Sequence, residues 1–187
     1  MNNPVFIIYT GPMMSAKTTG LLSTVDRYKY QGKKVIVFKP NIDDRYSVNE
    51  VCTHSGWKMP AVCVKSGTDI LEKLADMDDT PQVVAVDEAF MIAGIADVLI
   101  WLYRTGYSIV VSSLDLSATG KPFPEVEKML PWATHVEKRS AVCVVCSKDA
   151  FFTYKKQMND NEIEIGGSEL YEPRCLRCHP IVFEAGK

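Results

Sequence analysis

The sequence predicts an α/β protein: a parallel sheet flanked by helices, followed by a small metal-binding module at the C-terminal end. Three observations predict it. Four short apolar runs, at 4–10, 34–39, 82–87 and 107–114, are rich in β-branched residues and nearly continuous rather than alternating. That is the pattern of strands covered on both faces. Helical patterns separate the runs, as crossovers between parallel strands require. From about Ser140 onward the pattern changes to two Cys-x-x-Cys pairs with no second long helix. The chain has 187 residues, enough for one full domain and a small appendage. The expected units are residues 1–139 and 140–187.

The first strand, at 4–10, runs into Gly11-Pro12-Met13-Met14-Ser15-Ala16-Lys17-Thr18. Strand, glycine-started loop, Lys-Thr and helix form the P-loop arrangement, in which backbone N–H groups and a helix N-terminus converge on phosphate. Lys17 is expected to reach the β- and γ-phosphates of ATP and Thr18 to hold Mg²⁺. The second glycine of the pattern is Ala16, which adds a Cβ beside the loop backbone. The first helix spans 18–31 and stops at Gly32, a C′ residue. A second, 68–77, carries Ile70, Leu71 and Leu74 on one face, with Thr68 as N-cap. A third spans 95–104 before Gly106. Between the second and third strands, 39–61 has no clear period, and a loop of that length is usually functional or partly disordered.

Composition narrows the function. With 47% hydrophobic and 24% charged residues the chain is an ordinary globular protein. A net charge of −2 gives no global drive toward nucleic acid or anionic membrane. No apolar stretch approaches the roughly 20 residues of a membrane span. Met1-Asn2-Asn3-Pro4 shows no basic region or cleavage pattern of a signal peptide, so a cytoplasmic location is expected. There, six cysteines are thiols or metal ligands rather than disulfides.

The third strand ends in Asp87-Glu88, the Walker B form. Asp87 is expected to help hold Mg²⁺ and Glu88 to serve as general base. Successive residues at a strand end point to opposite sides, which would give the two carboxylates different tasks. In the tail, Cys143-Val144-Val145-Cys146 and Cys175-Leu176-Arg177-Cys178 suit a closed, structural Zn²⁺ site of four thiolates. Thioredoxin-like chemistry would use a single pair. His179 adjoins Cys178 as a competing ligand, and Cys52 and Cys63 read as ordinary thiols.

With these features in register, the chain resembles the type II thymidine kinases, the cytosolic family with a zinc-pinned lasso. The resemblance runs from about Phe6 to Cys178. It rests on the P-loop, Lys39-Pro40 with Asp43-Asp44-Arg45-Tyr46-Ser47, Cys52-Thr53-His54, Asp87-Glu88-Ala89, Leu114-Asp115, Gly120-Lys121-Pro122-Phe123, Ala141-Val142-Cys143, and Ile165-Gly166-Gly167 with Tyr171. It implies transfer of the ATP γ-phosphate to the 5′-hydroxyl of thymidine or a deoxyuridine-type nucleoside. Glu88 matches the family's general base, Lys17 and Thr18 the phosphate and Mg²⁺ ligands, and Arg45 the arginine near the reacting hydroxyl. Met13 and Leu114 match residues lining the base pocket, and Thr153 the lasso threonine near the base. Tyr171 matches the tyrosine that closes over the nucleoside. Met91 and Gly166 fall in matching pocket and lasso segments. The resemblance also implies recognition of the pyrimidine largely by main-chain groups of the lasso, and a homotetramer.

Two stretches depart from the family pattern. After the carboxylates, Phe90 stands for a glutamine and Met91 for a pocket phenylalanine; in Leu114-Asp115-Leu116-Ser117-Ala118 a glycine and another pocket aromatic are lost, the latter at Ala118. Two consequences stay open: compensated packing around an ordinary thymidine site, since Met refills irregular gaps, or a roomier pocket for a modified or bulkier pyrimidine deoxynucleoside. Rival readings are a binding-only relative and a nucleic-acid-stimulated P-loop ATPase with a zinc ribbon. Retention of Lys17, Thr18, Asp87 and Glu88 argues against the first, and the net charge against the second.

Overall fold

A computed structural model describes residues 3–42, 50–53, 55–157 and 166–184. The strands in chain order are β1 (Phe6–Thr10), β2 (Val35–Pro40), β3 (Glu50–Cys52), β4 (Lys58–Pro60), β5 (Val62–Val64) and β6 (Val83–Val86). They continue with β7 (Ser108–Ser113), β8 (His135–Lys138), β9 (Ala141–Val142), β10 (Asp149–Ala150), β11 (Phe152–Lys155) and β12 (Tyr171–Arg174). The helices are α1 (Lys17–Tyr30), α2 (Gly67–Ala75), α3 (Ile95–Arg104), α4 (Pro124–Met129) and α5 (Pro180–Glu184).

Six strands form one sheet in the order β5-β2-β6-β7-β1-β8, and every pair is parallel. The four apolar runs are its central strands. Period-two alternation divides them between two cores. Phe6, Ile8, Phe38, Val84, Val86, Ile109 and Val111 face Ile70 of α2, Ile95, Leu99 and Leu102 of α3, and Val126 and Met129 of α4. Ile7, Tyr9, Val37, Val83, Ala85 and Val110 face Leu21, Leu22, Val25 and Tyr28 of α1. Fully burying one such side chain contributes about 1.5–3 kcal/mol, so the two-sided pattern fixes which strands lie at the centre.

The structure departs from the expectation in three places. The aperiodic 39–61 segment holds the β3–β4 hairpin, with Val51 and Met59 buried in the α1-side core. Each strand has a single inward residue, too few to show a period. The N-cap of α2 is Ser66, not Thr68. Asp69 reaches back to accept the Lys65 N–H and the Ser66 hydroxyl, both at 2.7 Å, and so satisfies the helix entry. The sheet is also wider than four strands: β5 and β8 close its edges, and β8 is largely exposed. Gly32 does follow α1 in a left-handed conformation.

Beyond β8, the chain forms two small antiparallel pairs, β9–β10 and β11–β12. Among the described residues no helix is long and apolar enough to cross a membrane.

Candidate active site

The loop between β1 and α1 is built from backbone conformations that most residues avoid. Gly11 has φ +133°, and a Cβ there would lie 2.3 Å from the Arg139 carbonyl oxygen, so only glycine fits. Met14 and Ala16 both adopt the left-handed region, with φ 64° and 57°. Ala16 is the residue just before α1, where the sequence pattern has glycine. Its left-handed turn costs about 1–2 kcal/mol. The Pro12 carbonyl accepts from the Ser15 hydroxyl at 2.8 Å and from the Lys17 ammonium at 2.7 Å, which folds the lysine over the loop.

The strand neighbouring this loop through β7 supplies the carboxylates. Asp87, just past β6, accepts from the Thr18 hydroxyl at 3.2 Å, and the Ser112 hydroxyl of β7 donates to the same carboxylate oxygen. Hydroxyl and carboxylate oxygens that already meet form a hard-ligand set suited to Mg²⁺. Glu88 does not continue the strand. Its φ and ψ are 49° and 45°, and it leads into the short 3₁₀ turn Ala89–Met91. Strand alternation therefore ends at Asp87, and both carboxylates line the same pocket instead of facing opposite ways. A non-glycine residue held in this region is strained by about 1–3 kcal/mol, a feature that clusters at functional sites.

This pocket has a volume of about 270 Å³. It is lined by the β1–α1 loop from Met13 to Thr19, and one wall is Asp87 and Glu88. A further wall is Lys39 and the β3–β4 hairpin, including Glu50, Thr53 and Ser55. Lys39 and Thr53 fall in stretches that carry the family resemblance, but neither they nor Glu50 and Ser55 have an expected role from sequence. The signal was present in the unpatterned 39–61 segment, but not which side chains would turn inward. Arg45, the expected arginine near the reacting hydroxyl, lies outside the described residues.

Of the expected base-site residues, Met13 lines the pocket, Thr153 bonds to it, and Met91 and Leu114 share one apolar cluster with it, whereas Gly166 and Tyr171 lie apart from the pocket lining. The Met13 N–H donates to the Thr153 hydroxyl at 3.0 Å, bringing β11 against the loop. Met13 and Met91 pack against the apolar cluster that holds Leu114, Phe90 and Phe123. Phe90, the departure from glutamine, packs against Phe123 with ring centroids 4.6 Å apart and the rings tilted by 39°. Tyr171 pairs with Lys155 across β11–β12, and its N–H donates to the Gly167 carbonyl, one residue past Gly166.

The four cysteines converge. Their sulfur atoms all lie within 4.8 Å of one another, and Cys146 and Cys175 are 3.6 Å apart. The Cys143 N–H donates to Lys148 and its carbonyl accepts from Ser147, closing one knuckle; Cys178 N–H donates to Cys175 in the other. Burial alone would raise the Cys143 thiol, but N–H groups of Cys175, Val145 and Cys146 outweigh it and hold it at about 6. Cys178 is pushed up to about 12 by the Cys175 sulfur and by burial. Four sulfurs this close form a set that can hold a tetrahedral Zn²⁺. His179 is not part of it: buried, its Nε2 lies 3.0 Å from the Thr153 carbonyl, while Nδ1 accepts the Val182 N–H at 3.2 Å. Because Nδ1 accepts, Nε2 is the nitrogen that donates to the Thr153 carbonyl, and burial lowers the pKa of the ring.

Comparison with known proteins adds two findings. The X-ray structure of the Legionella pneumophila ATPase DotB is similar at a TM-score of 0.46 and 13% identity, over 80% of this chain and 44% of that one. This chain therefore spans less than half the length of that ATPase. A sequence-family model described as "Thymidine kinase" matches residues 5–179, from the first strand through the second cysteine pair. The match covers the phosphate loop, both carboxylates and all four cysteines in one span, and the chain belongs to the thymidine kinase family.

Proposed function

We propose that this protein transfers the γ-phosphoryl group of ATP to the 5′-hydroxyl of thymidine or a deoxyuridine-type pyrimidine deoxynucleoside. The product is the 5′-monophosphate, a precursor for DNA made by nucleotide salvage. One observation carries the proposal: the phosphate loop, the Thr18–Asp87 pair and Glu88 share a single pocket in a chain of the thymidine kinase family.

The residues divide the work. N–H groups of 11–18 and the α1 N-terminus bind the phosphates, and Lys17 leaves the Pro12 carbonyl to neutralise charge on the β- and γ-phosphates. Thr18 and Asp87 would hold Mg²⁺, which would supply positive charge beside the transferred group. Glu88 takes the proton of the 5′-hydroxyl as the new O–P bond forms. The bond to the β-phosphate oxygen breaks and ADP leaves. Arg45 steadies the reacting hydroxyl. The base lies against Met13, Met91 and Leu114, with Thr153, Gly166 and Tyr171 closing over it and excluding water. Phe90 is turned into the core against Phe123, which supports a thymidine-sized site with compensated packing.

The four cysteines would hold Zn²⁺ between the ends of 147–174, lowering the entropy of the segment that closes. In this reading, 1–139 carries ATP binding and chemistry, and 140–187 covers the nucleoside. The protein acts in the cytoplasm, as a homotetramer, on small molecules rather than nucleic acid. The test is mass spectrometry of a reaction holding ATP, Mg²⁺ and thymidine. Thymidine 5′-monophosphate and ADP should appear in equal amounts and vanish with EDTA. ATP hydrolysis indifferent to nucleoside but stimulated by DNA or RNA would contradict the proposal.

A further inference from the structure

Arg139 follows β8 and embraces the phosphate loop from outside the pocket. Its backbone holds the start of the loop: the N–H donates to the Thr10 carbonyl at 2.8 Å, and the carbonyl oxygen fills the space that a Cβ on Gly11 would need. Its side chain holds the end. Nη1 donates to the Ala16 carbonyl at 2.7 Å, and the guanidinium lies over the Tyr9 ring, 5.0 Å from its centroid. Nε is 2.9 Å from the Glu137 carboxylate. Gly20 leaves room for the group, since a Cβ there would come within 2.8 Å of the guanidinium carbon. Tyr9 is itself anchored, its hydroxyl 2.6 Å from that of Thr24. Arg139 does not line the pocket, so its effect on phosphate passes through the loop.

The carbonyl that Arg139 grips belongs to the one loop residue that replaces the patterned glycine. Glycine enters the left-handed region freely; alanine does not. A charge-assisted bond to the carbonyl on the far side of that peptide favours the strained turn over its relaxed alternatives. The Ala16 carbonyl also accepts the Gly20 N–H at 3.2 Å, the first turn of α1, so the same grip fixes the helix end that faces phosphate.

We propose that Arg139 is a positioning residue that holds the phosphate loop in its nucleotide-binding shape and makes alanine tolerable at position 16. The proposal rests on the assignment of this loop to ATP. It is tested by a double-mutant cycle of Arg139→Leu and Ala16→Gly, with Arg139→Lys as the conservative variant. Arg139→Leu should raise KM for Mg-ATP about tenfold, the scale of one charged hydrogen bond, with nucleoside KM changed less than about twofold. When Ala16→Gly is also present, the same substitution should cost less than about threefold, because the turn no longer needs support. Arg139→Lys should fall between.

An unchanged KM for Mg-ATP in Arg139→Leu, or an equal penalty with and without Ala16→Gly, would overturn the proposal. Thermal unfolding of the same four proteins without nucleotide gives an independent reading. The loss of Tm caused by Arg139→Leu should shrink when Ala16→Gly is present, and additive losses would overturn the coupling. If the wild-type protein shows no saturation by Mg-ATP, the assignment of ATP fails and the thermal cycle alone decides whether Arg139 supports the loop.

Discussion

The amide of Met13 donates to the hydroxyl of Thr153 at 3.0 Å, joining two residues 140 positions apart in the chain. Met13 belongs to the phosphate loop and Thr153 to β11. The Thr153 carbonyl in turn lies 3.0 Å from Nε2 of buried His179, directly after the last cysteine. The cysteine cluster and the phosphate loop are therefore linked by two successive hydrogen bonds through one threonine.

Thr153→Val keeps the shape of the side chain and removes the acceptor, leaving the Met13 N–H without it. The expected loss is about 1–3 kcal/mol of folding stability by denaturant titration, with a rise in nucleoside KM. Thr153→Ser should recover most of both. Equal stability of the valine variant and wild type would show that the bond contributes nothing.

Glu88→Gln retains the size and left-handed backbone of the residue and removes its ability to accept a proton. Its kcat should fall by ~10²–10⁴, while the affinities for ATP and nucleoside stay near wild type. A variant with unchanged kcat would take Glu88 out of the role of base.

The sheet was legible because its central strands are buried on both faces, so their apolar runs are unbroken. The edges were not: His135–Lys138 is an exposed strand of mixed character, and Val62–Val64 is too short to register. The phosphate loop, the carboxylate pair and the cysteine knuckles could be read because each depends on local spacing. Ala16 was visible as a departure from glycine, yet its partner was not, since the Arg139 contact spans 123 positions and follows no motif. The opposite-facing arrangement expected for Asp87 and Glu88 failed because Glu88 leaves the strand in a left-handed turn.

Removing Zn²⁺ with a chelator should loosen the cysteine module without unfolding the sheet. Amide hydrogen exchange should rise across 141–157 and 171–178 while Phe6–Thr10 stays protected. Cys146→Ser should reproduce the effect and lower the zinc content. A module equally protected with and without metal would contradict a structural site.

Asp69 offers a check on the entry to α2. The Lys65 N–H, and then the Ser66 hydroxyl, hold its carboxyl below the ordinary 3.8. Because the folded value is depressed, its contribution to stability is full above 3.8 and is lost as pH falls through the lower folded value. Urea midpoints of Asp69→Asn should therefore lie below wild type at neutral pH and converge with it in strong acid. Curves that stay parallel throughout would show that the helix entry gains nothing from the charge.

Nucleoside phosphorylation is tested by initial-rate ADP formation with a panel of free nucleosides: thymidine, deoxyuridine, deoxycytidine, deoxyguanosine and bulky 5-substituted deoxyuridines. Thymidine should give the highest kcat/KM, with deoxyuridine following and deoxyguanosine inactive. A bulky analogue that outperforms thymidine would contradict the compensated packing of Phe90 and Met91, and no nucleoside-dependent turnover at all would contradict the assigned reaction.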